Sequence, residues 1–429
     1  MSSTKSAAAN SGGPFRLGGV ALDVWAVVAA FGAYFCMYMF RKPYTAATYE
    51  DMTAFGMAFK PIVIISQVLG YAVSKFIGIK VVSEAHLSRR VAWYIGLILA
   101  AELALILAGL TPAPYSLFWF FLNGLPLGMV FGFVLAFLEG RTKTELLTAG
   151  LCVSFVVADG VAKSTGLWLI DLGVPEIWMP SAAGALYLPG ILLFGWMLSK
   201  IPGQTTEDIA QRSERTSMDK AARKSLLGRF ALGLVLLAAV YAITGVLRGV
   251  RGDFSREIWE GLDFKVDAAV FSKSELIVAF AILAIVSLLT LVKDNRKAFA
   301  WGLGLSCAGY ALVIVTLSCL HFHLVDPFAF MVLIGFGLYL PYIAFHTTVF
   351  ERLIAYTREK GTIGYLMYVA DASSYAGLVI LLFVKNLGEA DPKSIVPFFI
   401  GLSWITAIAC LLMLPPAYFY FKSHRSERA

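Results

Sequence analysis

The stretch Tyr34-Phe-Cys-Met-Tyr-Met-Phe-Arg41-Lys42-Pro-Tyr44 closes the first long apolar run of the chain. An arginine and a lysine stand side by side at the end of a run about 20 residues long, the length that crosses a bilayer as a helix. Charge so close to hydrocarbon is costly and tends to be kept for function. At helical spacing Tyr34, Tyr38 and Arg41 fall at i, i+4 and i+7, so one face carries two phenols and a guanidinium. Two readings fit this stretch alone. It is an anchor at headgroup level, or it is a polar site inside a helical bundle.

The rest of the chain decides between them. Of 429 residues, 59% are hydrophobic and only 15% charged, against about half and a quarter in soluble domains. Mean hydropathy is +0.76. This is the composition of a polytopic, all-α membrane protein. Twelve runs can span a bilayer: 21–40, 59–79, 91–110, 115–138, 147–170, 178–198, 230–247, 276–292, 298–320, 327–349, 361–384 and 395–421. The seventh is short, and Pro415-Pro416 could end the twelfth early. The organisation expected is a disordered N-terminus (1–20), a six-helix half (21–198), a hydrophilic linker with some helix (199–229), a second half (230–421) and a tail (422–429).

Several classes fall away. Basic residues are spread over short loops rather than gathered in one patch, so nucleic acid is not an expected partner. The five cysteines sit in apolar runs without metal-ligand spacing, and neither a disulfide framework nor a zinc site is expected. His321-x-His323 with Asp326 is a weak metal pattern in a loop. No nucleophile elbow, phosphate loop or dinucleotide fingerprint occurs, so neither an enzyme nor a cofactor is expected. The N-terminus lacks the layout of a cleaved signal peptide. Loop charges place the Lys80/Arg89, Arg141/Lys143, 200–229, Lys293–Lys297 and Arg352–Lys360 connections in the cytoplasm, with both termini. Arg41, Lys42, Arg248, Arg251, Arg256, Lys265, Lys273, Lys385 and Lys393 are exceptions: they fall on the other side, where positive charge is scarce.

The two halves repeat each other. Val157-Ala158-Asp159 recurs as Val369-Ala370-Asp371, and Glu139 recurs as Glu351, both acidic pairs lying 212 residues apart. A basic residue ends the first span of each half, at Arg41 and Arg248. Two parallel six-span repeats joined by a cytoplasmic linker is the architecture of the major facilitator transporters. Within it, Tyr-Met-Phe-Arg41-Lys42, Gly70-Tyr71…Ser74-Lys75-Phe76-Ile77 with Val82-Ser83-Glu84, and Leu247-Arg248…Asp253-Phe254-Ser255 resemble the organophosphate:phosphate antiporters. The chain is also similar to bacterial membrane proteins grouped only as a domain of unknown function.

That resemblance implies a site. Arg41 and Arg248 would clamp a phosphate between the halves, Lys75 would assist, and Tyr38 and Tyr34 would line the approach. Arginine suits the task, because its planar fork matches an oxyanion bidentately and keeps its charge. Arg251, three residues after Arg248 and on nearly the same face, could reach the cavity instead; the motif favours Arg248. Where the antiporters carry a histidine in the fifth helix, this chain carries Asp159, with Lys163 at i+4 placed for an ion pair. Asp371 is its counterpart in the second half. Both acids lie deep in their spans, and three roles stay open: tuning cavity charge, carrying a proton, or locking helix packing. With Arg41, Lys75, Lys163 and Arg248 against Asp159 and Asp371, two positive charges are left over.

Other charges have plainer readings. Glu139, Arg141, Glu351 and Arg352 sit at cytoplasmic helix ends and read as conformational latches or solvated ends. His346 reads as packing. Gly124, Gly128 and Gly132 have the small-xxx-small spacing of a close helix contact. The expectation is a secondary transporter, monomeric, in a bacterial inner membrane, moving a small anion, with phosphate as the candidate counter-substrate. A proton-coupled symporter of a zwitterion, or a receptor or scaffold that has lost transport, are the alternatives.

Overall fold

A computed structural model describes residues 20–84, 89–138, 144–203, 220–289, 292–357, 363–385 and 392–423. In the first half the helices are α1 (Val20–Tyr38), α2 (Phe59–Glu84), α3 (Arg90–Leu110), α4 (Ser116–Leu138), α5 (Thr144–Asp171) and α6 (Met179–Ser199). In the second they are α7 (Lys220–Asp253), a short α8 (Ser255–Gly261), α9 (Ala268–Leu289), α10 (Asn295–His321), α11 (Pro327–Ala344), α12 (Phe350–Thr357), α13 (Ile363–Lys385) and α14 (Pro392–Ser423). Among the described residues, eleven helices are long and apolar enough to cross a membrane. The one expected span not among them is the eleventh, α13, whose apolar stretch is Val369–Val384.

The sequence boundaries need adjustment in two places. The seventh span is not short, because the helix runs on past Leu247 to Asp253, with a kink at Phe230 joining it to the end of the linker. The twelfth span does not end at Pro415-Pro416 but continues to Ser423. Conversely, α1 stops at Tyr38, before Pro43. A proline at N1 of the 3₁₀ turn Pro43–Ala46 starts a new local direction there. A two-residue hairpin, Thr53–Ala54 with Met57–Ala58, and helix α8 were not expected. The segments 1–19 and 204–219, and with them the expected disorder of the N-terminus, lie outside the described residues.

Helix packing reproduces the repeat. In the first half α1 packs on α5 and α6, α4 on α2 and α3, and α3 on α6. In the second, α7 packs on α13 and α14, α11 on α9 and α10, and α10 on α14. These are the same five pairings, span for span. Two symmetric contacts then join the halves: α5 with α9, and α2 with α13. The bundle is apolar outside and polar inside. Val20, Val24 and Val28 form an exposed stripe on α1, one turn apart, while Arg41, Lys42, Lys60, Lys75, Asp159 and Lys163 are buried. That inversion fits a protein solvated by lipid tails.

Glycines permit the closest approaches. A side chain at Gly124 would collide with the Gln67 carbonyl oxygen of α2, and one at Gly128 with Ser74. Close backbone contact replaces the hydrophobic effect as the force between helices inside a membrane. Gly124→Leu should therefore lower stability by at least about 1–3 kcal/mol, the usual cost of overpacking. Gly96→Leu, whose added Cβ meets nothing within 4 Å, should be near neutral. Thermal unfolding of both variants in the same detergent checks this.

Candidate functional site

The residues singled out in the sequence converge where the halves meet. Arg41 follows the last turn of α1, its backbone N–H bonded to the Tyr38 carbonyl at 3.0 Å. Its guanidinium lies 3.7 Å from the ring centre of Tyr71 on α2, with Tyr38 at 5.5 Å and Tyr375 at 5.8 Å. Nη2 donates to the Tyr375 hydroxyl at 3.4 Å, across the two halves. Arg248, on α7, stacks at 4.3 Å on Tyr342 and stands 5.9 Å from Tyr339. Two small cavities flank the pair. Arg41, Lys42, Asp159, Arg248, Asp253 and Tyr375 are among the residues that line the first. Tyr34, Lys75, Arg248, His346 and Asp371 are among those that line the second. Arg248, Tyr38 and Tyr375 belong to both.

Charge pairing separates the cations into two groups. Lys163 is bonded to Asp159 along α5, as the i+4 spacing predicts. Lys42 is paired with Asp253 of the other half, with Asp159 also at 4.0 Å. Lys75 meets Asp371 at 3.2 Å, again across the halves. Arg251 donates to Glu275 at 2.7 Å and to the Met331 carbonyl at 2.9 Å. It packs against Gly335, and its charge is already neutralised. Arg248, not Arg251, lines the cavities. Neither Arg41 nor Arg248 forms an ion pair among the described residues, and the Nε–H of each is buried without an acceptor. Here six cations (Arg41, Lys42, Lys75, Lys163, Arg248, Arg251) face four carboxylates (Asp159, Asp253, Glu275, Asp371). The two charges left over are those of the two arginines, surrounded by tyrosine rings. Such rings attract cations by their quadrupoles and leave the guanidinium donors available to an acceptor.

The remaining expectations divide. Lys75 is buried rather than drawn toward the surface. Glu275 is the buried partner of Arg251. Arg352 donates to Asn295 of its own half at 2.7 Å, and Glu351 is half-buried beside it. Glu139 and Arg141 lie outside the described residues. Asp326 caps α11 by accepting from Phe328 N and Ala329 N at 2.8 and 2.9 Å, while His321 and His323 are exposed.

Sequence reasoning missed the layer beside this site. Lys60, at the start of α2, pairs with Glu257 of α8 and donates to the Thr45 carbonyl at 2.8 Å. Arg256 donates to the Ala46 carbonyl at 2.7 Å. With Lys42–Asp253, these bonds tie the halves together at the end formed by residues 41–60 and 251–261. The available signal was the i+4 spacing of Asp253 and Glu257, which sets two acids on one helical face.

Comparison with solved structures defines the class. The fold matches a bacterial homologue of the human lysosomal transporter Spinster, in an inward-facing and unoccupied conformation, at TM-score 0.58 and 13% identity, covering 96% of this chain and 100% of the other. It matches a D-xylose–proton symporter at 0.58 and 12%, covering 94% and 97%. It matches the human organic anion transporter MFSD10 at 0.54 and 14%, covering 90% and 99%. The chain thus has the fold of the major facilitator transporters. It belongs to the family of unknown function DUF5690, which it matches over residues 43–424. No curated protein is a significant match by sequence.

Breaking one partner of a buried pair strands the other charge, at about 3–5 kcal/mol. Lys60→Met should cost that much, and adding Glu257→Gln should recover the larger part. Unfolding curves of the two single variants and the double variant give the coupling.

Proposed function

We propose that the protein is a secondary transporter that binds a small anion between its halves, clamped by Arg41 and Arg248, and moves it by alternating access. The single observation carrying this reading is that these two guanidiniums, one from each repeat, are the only lysine or arginine charges at this junction left without a carboxylate partner among the described residues. A buried charge is retained only when something balances it. An oxyanion bridging both arginines would supply acceptors to their free N–H groups and pull the halves together. Binding would then favour the closed arrangement by its differential affinity for it.

The charge selects the solute class. Two uncompensated positive charges suit a phosphate-bearing or dicarboxylate solute, and a phosphate ester exchanged for phosphate is the first candidate. Arginine forks match phosphate oxygens bidentately. The tyrosines on both sides offer hydroxyl donors and apolar faces for the rest of the molecule. The loop charges support a cytoplasmic position for both termini. In that orientation the Lys42–Asp253 and Lys60–Glu257 end is the outer gate. In the same reading Tyr34 and Tyr38 line the anion's path, and Lys163 holds Asp159 in its ionised form.

A thermal-shift series in detergent tests the clamp, using inorganic phosphate, phosphate esters, dicarboxylates and amino acids. A ligand present at 100 times its dissociation constant should add about 2.7 kcal/mol. Stabilisation is expected from phosphate compounds or dicarboxylates and should vanish in Arg41→Gln/Arg248→Gln. Arg248→Lys should also lose most of it, because a point charge cannot reproduce the fork. Response to amino acids alone, or equal response in the double variant, would overturn the reading.

A further inference from the structure

Beside the two arginines, α7, α11 and α13 build a hydrogen-bonded chain that the clamp does not use. His346 lies in the π-helical turn Phe345–Val349 that follows α11. Wide turns of this kind are frequent at functional sites. Its Nδ1 faces the Tyr342 carbonyl oxygen at 3.0 Å, and its Nε2 faces the Tyr241 hydroxyl at 3.2 Å. The same hydroxyl is bonded to Asp371 Oδ1. Asp371 Oδ2 faces Lys75 Nζ of the other half at 3.2 Å. His346 and Tyr241 are buried, and His346, Asp371 and Lys75 line one cavity.

Counting donors narrows the protonation states open to this chain. A carbonyl oxygen only accepts, so the nitrogen facing it, Nδ1, carries a hydrogen. Tyr241 has one hydroxyl hydrogen; the Tyr342 hydroxyl can donate to it, but His346 Nε2 and Asp371 Oδ1 both compete for its single hydrogen. If His346 were neutral and Asp371 ionised, both would be acceptors, and one of these contacts would set lone pair against lone pair. The chain is satisfied only with one more proton. Either Nε2–H donates to Tyr241 while Tyr241 donates to an ionised Asp371, or a protonated Asp371 donates to Tyr241 while Tyr241 donates to Nε2.

We propose that His346, Tyr241 and Asp371 form a binding site for one proton, and that Lys75 sets the proton's position from across the interface. With Lys75 on Asp371, the proton sits on His346 Nε2. When the halves part and Lys75 withdraws, Nε2–H passes its proton to Tyr241 Oη as the Tyr241 hydroxyl passes its own to Asp371 Oδ1. An imidazolium and a carboxylate become a neutral imidazole and a carboxylic acid, and charge balances throughout. The other charged and titratable groups facing the site are Tyr34 and Tyr38 of α1, Tyr71 of α2, Cys152 of α5, Arg248 of α7, Tyr342 of α11 and Tyr375 of α13. The use of this proton in coupling rests on the transporter reading; its presence does not.

The test needs no substrate. The full chain, with its other four histidines replaced by glutamine and with ¹⁵N-labelled histidine, is placed in nanodiscs at pH 7.5. Nitrogen spectra read His346, and the infrared carboxylic-acid band that disappears in Asp371→Asn reads Asp371. A free imidazole with a pKa of about 6.5 would be about nine-tenths neutral at this pH. The expected result is a His346 imidazolium with no Asp371 acid band. In Lys75→Met the signals should exchange, giving a neutral His346 and a protonated Asp371. Wild-type protein with a neutral His346 and an ionised Asp371 would overturn the site. A proton that stays on His346 in Lys75→Met would overturn its control by Lys75. Because neither readout involves an anion, failure of the arginine clamp would leave both unchanged.

Discussion

Two guanidiniums without an ion-pair partner among the described residues, lining one cavity at the joint between two six-helix halves, are the constraint the rest of the structure serves. Positive charge inside a membrane bundle is unstable unless solvated, paired or surrounded by polarisable groups. The groups in direct contact with Arg41 and Arg248 are tyrosines, and the acids that line the same cavities, Asp159, Asp253 and Asp371, are each paired with a lysine. Rings stabilise a cation without occupying its hydrogen-bonding edge. An acid in direct contact would have neutralised the charge. The contrast with Arg251, three residues from Arg248, is instructive. The same residue type on the same helix meets Glu275 and becomes part of the packing.

The paired cations explain part of the anomaly in the loop charges. Lysines and arginines on the side where they should be scarce violate the usual bias. In the structure Arg41, Lys42 and Arg251 are buried, while Lys265 and Lys273 remain exposed. Lys42, Lys60 and Arg251 are buried against acids, and Arg256 pairs with Glu260 on α8. Pairs that join opposite halves hold only while the halves are together at that end. Their energy therefore belongs to one arrangement of the bundle, which is the property a gate requires. Gly160 allows α5 to approach α9 closely enough for this closure, since a side chain there would meet the Phe271 backbone and Glu275.

Much of this was legible in the sequence. Twelve apolar runs, the recurrence of Val-Ala-Asp and the basic residue after each first span specify two repeats, and the five shared helix pairings agree. Arg41, Arg248, Asp159 and Asp371 were visible because charge in an apolar run stands out. The i+4 spacing carried the Lys163–Asp159 pair. What was not legible depends on contacts between spans far apart in the chain. Nothing in the local pattern joins Lys75 to Asp371, Lys60 to Glu257 or Tyr71 to Arg41. Tyrosines in membrane spans look like interface residues or packing, so the aromatic wall of the site was only partly anticipated, at Tyr34 and Tyr38. His346 looked like packing because its partners, Tyr241 and Asp371, lie on other helices and the π turn that aims it has no sequence signature. The helix through Pro415-Pro416 and the extension of α7 to Asp253 show tertiary packing overriding local helix-breaking tendencies.

The central claim is that Arg41 and Arg248 share one anion. Crystals soaked in sodium bromide test it most directly, since bromide is a generic counterion with its own anomalous signal. The account predicts a bromide peak within hydrogen-bonding distance of both guanidiniums. It further predicts that the peak disappears in Arg248→Gln. An anomalous map with bromide at surface sites but none between the two arginines would contradict it.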